Sequence, residues 1–256
     1  LKKNKTFSPS FSLYIFKNTS KLRREKMKIL KTFYLVLITL VVVGGCNLSV
    51  NKSIYIKDGE TVHSGPKTVN GSIYIGNNCT IKGSCNTVNG RIKVGANCKV
   101  RSLKTVNSGI KVGKDSIVDG DIGTVNGSVS CAERVKVDGE IATINGGVTC
   151  NTGVKVGGVI TNINGHITLY NTIVKDDVKT YTGDITLKDK SVVEGDIVIR
   201  RSRGSRKHRT LEIRIENRSI VKGDVIVRDD DLEVTVYLSG GGKVEGKIQD
   251  AKVIKE

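Results

Sequence analysis

The chain predicts an all-β fold, a single-stranded parallel β-helix, from three observations. A unit opening with Thr-Val-Asn-Gly or a close variant starts at Ser49, Thr68, Thr87, Thr105, Thr124, Thr143, Asn162 and Thr180, at spacings of 18 or 19 residues. Aliphatic residues recur at fixed places in each unit, largely as i, i+2 pairs, the period of a strand with one buried face. Glycine and asparagine punctuate every unit, and β-branched residues dominate the apolar set, which excludes helix. So fixed a period over eight units describes a solenoid in which each repeat is one coil.

The chain divides in order. Residues 1–26 are polar and aperiodic, and are expected to lie upstream of the translated protein or to be unstructured. Residues 27–45 read as a lipoprotein signal peptide, opening at Met27, the single methionine, with Lys28 and Lys31 before an apolar run from Phe33 to Val43. That run is shorter than the roughly 20 residues a membrane span needs. Val43-Gly44-Gly45-Cys46 ends it. Residues 46–48 form a short tether, 49–199 the regular β-helix, 200–210 a basic insertion and 211–256 further coils. The formal charge of +17 is partly an effect of the leader: beyond residue 45 the chain holds 32 basic and 24 acidic residues, a net of +8.

Counted from the Thr as position 0, position 5 carries Ile73, Ile92, Ile110, Val129 and Val148, and position 7 carries Ile75, Val94, Val112, Leu169 and Leu187. Position 13 carries Ile81, Val100, Val118, Val137 and Val156, and positions 11 and 17 add Val135, Val154, Ile122, Ile141 and Ile160. Position 1, with Val69, Val88, Val106, Val125, Ile144 and Ile163, is read with this inward set. Three pairs per unit make three short strands per coil, with coils about 4.8 Å apart. Eleven such coils would run roughly 50 Å.

Position 2 is Asn51, Asn70, Asn89, Asn107, Asn126, Asn145 and Asn164. An Asn-Gly corner tolerates left-handed backbone angles, and stacked asparagines would form an amide ladder along the axis. Glycine recurs at position 15. The cysteines fall on apolar positions: Cys79 and Cys98 at 11, Cys131 and Cys150 at 7, Cys85 at 17. They read as buried thiols behaving as small hydrophobes. A disulfide between adjacent coils is the alternative, since stacked Cα atoms lie within bridging distance. Metal binding is disfavoured because no histidine accompanies a cysteine at ligand spacing.

The units Val-Asp-Gly-Asp-Ile (118–122), Val-Asp-Gly-Glu-Ile (137–141), Val-Glu-Gly-Asp-Ile (193–197) and Val-Lys-Gly-Asp-Val (221–225) resemble the repeats of bactofilins, polymer-forming bacterial β-helix proteins. The Thr-Val-Asn-Gly units also resemble adhesin-type envelope repeats. Together these resemblances cover residues 49–256 and imply a right-handed helix and a structural, self-assembling role. Val43 to Cys46 resembles a lipobox, which implies cleavage between Gly45 and Cys46 and acylation of Cys46. The implied location is the bacterial envelope, at the outer membrane where there are two membranes and otherwise on the outer face of the cytoplasmic membrane. The lipobox and the basic insertion depart from the bactofilin pattern.

No nucleophile–base pair is visible, turns are minimal and tryptophan is absent, so a non-enzymatic protein without cofactor or metal is expected. Two readings follow. One is a lipid-anchored scaffold associating through its end coils. The other is a binding module whose Arg200, Arg201, Arg203, Arg206, Lys207 and Arg209 contact an anionic lipid, lipopolysaccharide or cell-wall polymer. Nucleic acid is not expected in the envelope.

Overall fold

The computed structural model describes residues 48–200 and 209–256. Cys46–Glu256 forms one compact unit, an all-parallel β-solenoid in which consecutive strands go to three sheets in turn. The first sheet runs from Leu48–Ser49 to Ile248–Gln249, the second from Ile54–Ile56 to Lys252–Lys255, and the third from Thr61–Val62 to Lys243–Val244. They hold 11, 11 and 10 strands among the described residues. Coils stack in register: Ile73 lies on Ile92, Ile92 on Ile110, Ile110 on Val129.

The core forms because each strand turns alternate residues inward. In the second sheet, Ile92–Val94 buries Ile92 and Val94 and exposes Lys93. In the third, Lys99–Val100 buries only Val100. The first sheet departs from expectation. Its inward pair is position 0 with the residue two before it, for example Ile122 with Thr124 and Leu103 with Thr105. The position-1 residues Val69, Val88, Val106, Val125, Ile144 and Ile163 are half-buried on the outer side of that corner. Three consecutive residues cannot all face inward on an extended chain, and Thr at position 0 takes the inward place.

That choice is chemically sensible because the buried hydroxyl finds partners. Thr87 Oγ1 donates to the Gly71 carbonyl (2.8 Å) and accepts from the Gly90 N–H (3.2 Å). The same pair of bonds ties Thr68 to Lys52 and Gly71. Each threonine thus closes its own corner and fastens it to the coil before, removing the cost of an unpaired buried hydroxyl.

The left-handed corner also lies elsewhere than expected. Positive φ falls mainly at position 10 and its equivalents, between the second and third sheets: Asn78, Asn97, Asp115, Arg134 and Gly153. The asparagines at position 2 do not adopt it, and of the glycines after them only Gly165 has positive φ. Those glycines answer a different need. A Cβ on Gly90 would strike the Gly71 carbonyl, and one on Gly71 the Lys52 carbonyl. Close approach of stacked backbones is what excludes a side chain.

Candidate functional site

Four features carry candidate chemistry: the asparagine corner, the Gly-Asp corner, the cysteines and the basic insertion.

Asn70 Nδ2 donates to Asn51 Oδ1 (2.7 Å), Asn89 to Asn70 (2.6 Å) and Asn107 to Asn89 (2.7 Å). Asn126, Asn145 and Asn164 continue the series at 2.8–2.9 Å, and Thr182 Oγ1 ends it by donating to Asn164 Oδ1 (2.7 Å). Each amide gives one bond upward and takes one from below, so those between the ends hold one axial donor and one acceptor in use. Within the core, Asn162 replaces the threonine of position 0. Its Nδ2 donates to Thr143 Oγ1 and the Gly146 carbonyl, while its Oδ1 is buried without a partner.

The Gly-Asp corner explains the Val-x-Gly-Asp-Ile motif. Asp177 Oδ1 accepts the Asp196 N–H, Asp196 Oδ1 the Asp224 N–H and Asp224 Oδ1 the Lys247 N–H, each at 2.8 Å. The glycine before each donating N–H makes room: a Cβ on Gly195, Gly223 or Gly246 would meet the carboxylate of Asp177, Asp196 or Asp224. Burial works against ionised Asp177, but Lys179 (2.6 Å) and the Asp196 N–H hold its carboxyl below the ordinary value. One coil pair differs, since burial, reinforced by Asp121, raises Glu140. The stacked Asp119 and Asp138 are engaged by Lys99 (3.4 Å) and Lys136 (2.8 Å). Such carboxylates serve stacking.

All five described cysteines are free and buried. Cys131 lies on Cys150 in register. Burial pushes Cys85 up to about 12, and the Cys131 thiol together with burial holds Cys150 well above its ordinary value. Thiols so held are inert at neutral pH. Position 11 is more polar than the sequence reading had it. Ser116, Thr172, Ser191 and Ser219 occupy it in other coils, all buried. Cys98 N–H donates to Ser116 Oγ (3.0 Å), and Cys98 Sγ donates to the Gly76 carbonyl (3.0 Å). At this corner cysteine takes the place of a hydroxyl as well as of a hydrophobe.

The insertion lengthens the stacking offset from 19 to 28 residues without breaking register: Val178 lies on Ile197, and Ile197 on Val225. Arg209, assigned to the loop from sequence, instead opens the strand Arg209–Ile215, because seven residues there pair with Leu232–Leu238. Arg200 is half-buried beyond the strand Ile197–Ile199. Arg201, Arg203, Arg206 and Lys207 lie outside the described residues, as do Gly45 and Cys46. On the next coil the same corner, between Val225–Val227 and Leu232–Leu238, carries Asp229, Asp230 and Asp231.

The two ends of the described solenoid are alike in exposing core-type residues. Ile54 and Val62 at the first coil, and Leu238, Val244, Ile248 and Ala251 at the last, are only partly buried. Val50 and Tyr55 at one end and Val253 at the other are exposed. Among the described residues no group of three or more His, Cys, Asp or Glu side chains could hold a metal ion. No family model matches the chain, and neither curated proteins nor solved structures give a match.

Proposed function

We propose that this chain is a non-enzymatic structural element of the bacterial envelope, held to a membrane by acyl chains on Cys46 and associating through its end coils. The observation that supports this reading is the partial burial of core-type residues at both ends of the described solenoid. Strand edges and half-buried aliphatic residues on a terminal coil can pair with another chain. Val253 and Ile254 on the strand Lys252–Lys255, with Val244 and Ile248, form one such edge. The polar residues elsewhere serve the stack: the asparagines bond one another and the aspartates bond backbone.

The test is sizing and negative-stain microscopy of the protein beginning at Cys46, with Cys46→Ser, over a range of concentrations. Concentration-dependent end-to-end assemblies that V253K/I254K abolishes would support the scaffold. A monomer at all concentrations would sink it.

A further inference from the structure

Charge is segregated along the solenoid. Residues 61–114 contain nine Lys/Arg and no Asp/Glu, whereas residues 115–199 contain seven Lys/Arg and twelve Asp/Glu. Register spreads the nine cations over the three sheets and the corners between them. Lys67 and Lys104 are on the first, Lys93 and Lys111 on the second and Lys99 on the third. Lys82, Arg91, Arg101 and Lys114 lie at the corners, and this part of the solenoid is a cationic collar.

The collar is densest on the second sheet. Tyr55, Tyr74, Lys93 and Lys111 form one outward row, each in register with the next. The Tyr55 and Tyr74 rings stack at 5.0 Å with an 11° interplanar angle. Arg91 flanks the row on one side and Lys114 on the other, and all four cations are exposed.

Stacking Lys93 directly on Lys111 is unfavourable, since like charges on neighbouring strands repel. The fold has the means to relieve this and uses it in later coils: Arg134 pairs with Asp115, Lys136 with Asp138 and Lys175 with Glu194. In the same row further on, the residues are neutral: Ser130, Thr149, Thr168 and Thr186. Arg91, Lys93, Lys111 and Lys114 make no ion pair among the described residues, and Asp115 beside Lys114 is taken by Arg134 at 2.6 Å. An external anion would complete the row.

We propose that residues 61–114 bind the phosphate headgroups of an anionic bilayer, with Arg91, Lys93, Lys111 and Lys114 as the principal contacts and the Tyr55–Tyr74 edge beside them. The choice of bilayer over soluble polymer rests on the anchored reading: Cys46 lies two residues before the first strand, Leu48–Ser49, so the collar is at the anchored end. Basic residues near an anionic leaflet are attracted over about a Debye length, and tyrosine favours the interface.

The experiment uses the unit from Cys46 with Cys46→Ser, whose core is its own, so no acyl chain contributes. It should co-sediment with vesicles of about 30% phosphatidylglycerol in phosphatidylcholine at about 50 mM salt, and not with phosphatidylcholine alone. R91Q/K93Q/K111Q/K114Q should lower partitioning at least about tenfold. K188Q/K190Q/K222Q/K243Q removes the same charge from later coils and should stay within about twofold of the parent. Equal loss in both variants, no binding by the parent, or binding to soluble polyphosphate that vesicles cannot displace would each overturn the proposal. The anchor is judged separately by acylation of Cys46 in the full chain. An unacylated Cys46 with intact vesicle binding removes the anchor alone, and an acylated Cys46 without it removes the collar alone.

Discussion

The asparagine corner and the Gly-Asp corner solve the same problem with opposite chemistry. Both must tie one coil to the next along the axis. The amide carries donor and acceptor together, so Asn51 to Asn164 bond one another and the series adds no charge. The carboxylate can only accept, so Asp177, Asp196 and Asp224 each take a backbone N–H instead and rely on glycine for access. A self-complementary group can be repeated freely. A one-sided group needs the backbone to supply its partner, together with neighbouring cations such as Lys179.

The comparison can be broken most severely where both corners depend on a missing side chain. Gly90→Ala should cost about 3 kcal/mol or more, because its Cβ would strike the Gly71 backbone, which cannot move aside. Gly59→Ala is the control: its φ is +76° but nothing lies within 4 Å, so about 1 kcal/mol is expected. Chemical denaturation of the two variants measures the difference, and equal losses would refute close approach as the reason for glycine after asparagine.

A smaller effect should follow from exchanging one chemistry for the other. Asn89→Asp removes the donor to Asn70 Oδ1 and sets a carboxylate against it, costing about 1 kcal/mol at neutral pH. Acid should restore part of the loss, since a protonated carboxyl regains a donor. A variant equally weak at pH 7 and pH 4 would show that the amides contribute shape alone.

The smallest expected effect sharpens the comparison by pH. Asp177 has a folded pKa below its ordinary value of 3.8, so its ionised form stabilises the coil above that value. That contribution is lost as pH falls through the folded pKa. Asp177→Asn should therefore flatten the acid limb of a melting-temperature profile below about pH 4. An unchanged limb would leave the carboxylate with no electrostatic part in the stack.

The period made the architecture legible, because a coil repeats its inward positions and a strand its parity. Val94, Val118 and Ile122 were readable as core for that reason. The polar interior was harder. Thr87 and Thr105 look like surface residues until their hydroxyls are seen to close a corner, and Ser116 and Ser219 likewise. Val88 and Ile144 misled in the opposite direction, being aliphatic and half-exposed. Asn-Gly suggested a left-handed turn, yet the turn is at Asn78 and Asn97, and the glycine after Asn89 is there for proximity. The continuation of register across the basic insertion, with Ile197 on Val225, was not legible because an insertion hides the period. The collar's charge was readable from residue counts, but that Arg91, Lys93, Lys111 and Lys114 lack ion pairs among the described residues while Lys99 and Lys104 have them was not.

Every inter-coil hydrogen bond in the sheets lies along the solenoid axis, and each coil holds only its neighbours. A force drawing the two ends apart is therefore borne by the coil interfaces in series. Resistance to such a force is set by the weakest interface, however many coils are added. The step from the Asn162 coil to the Thr180 coil is the natural place to look: the amide series stops there at Thr182, and the buried Asn162 oxygen goes unbonded. A molecule built this way would lengthen by parting at one seam, with the coils on either side of it still wound.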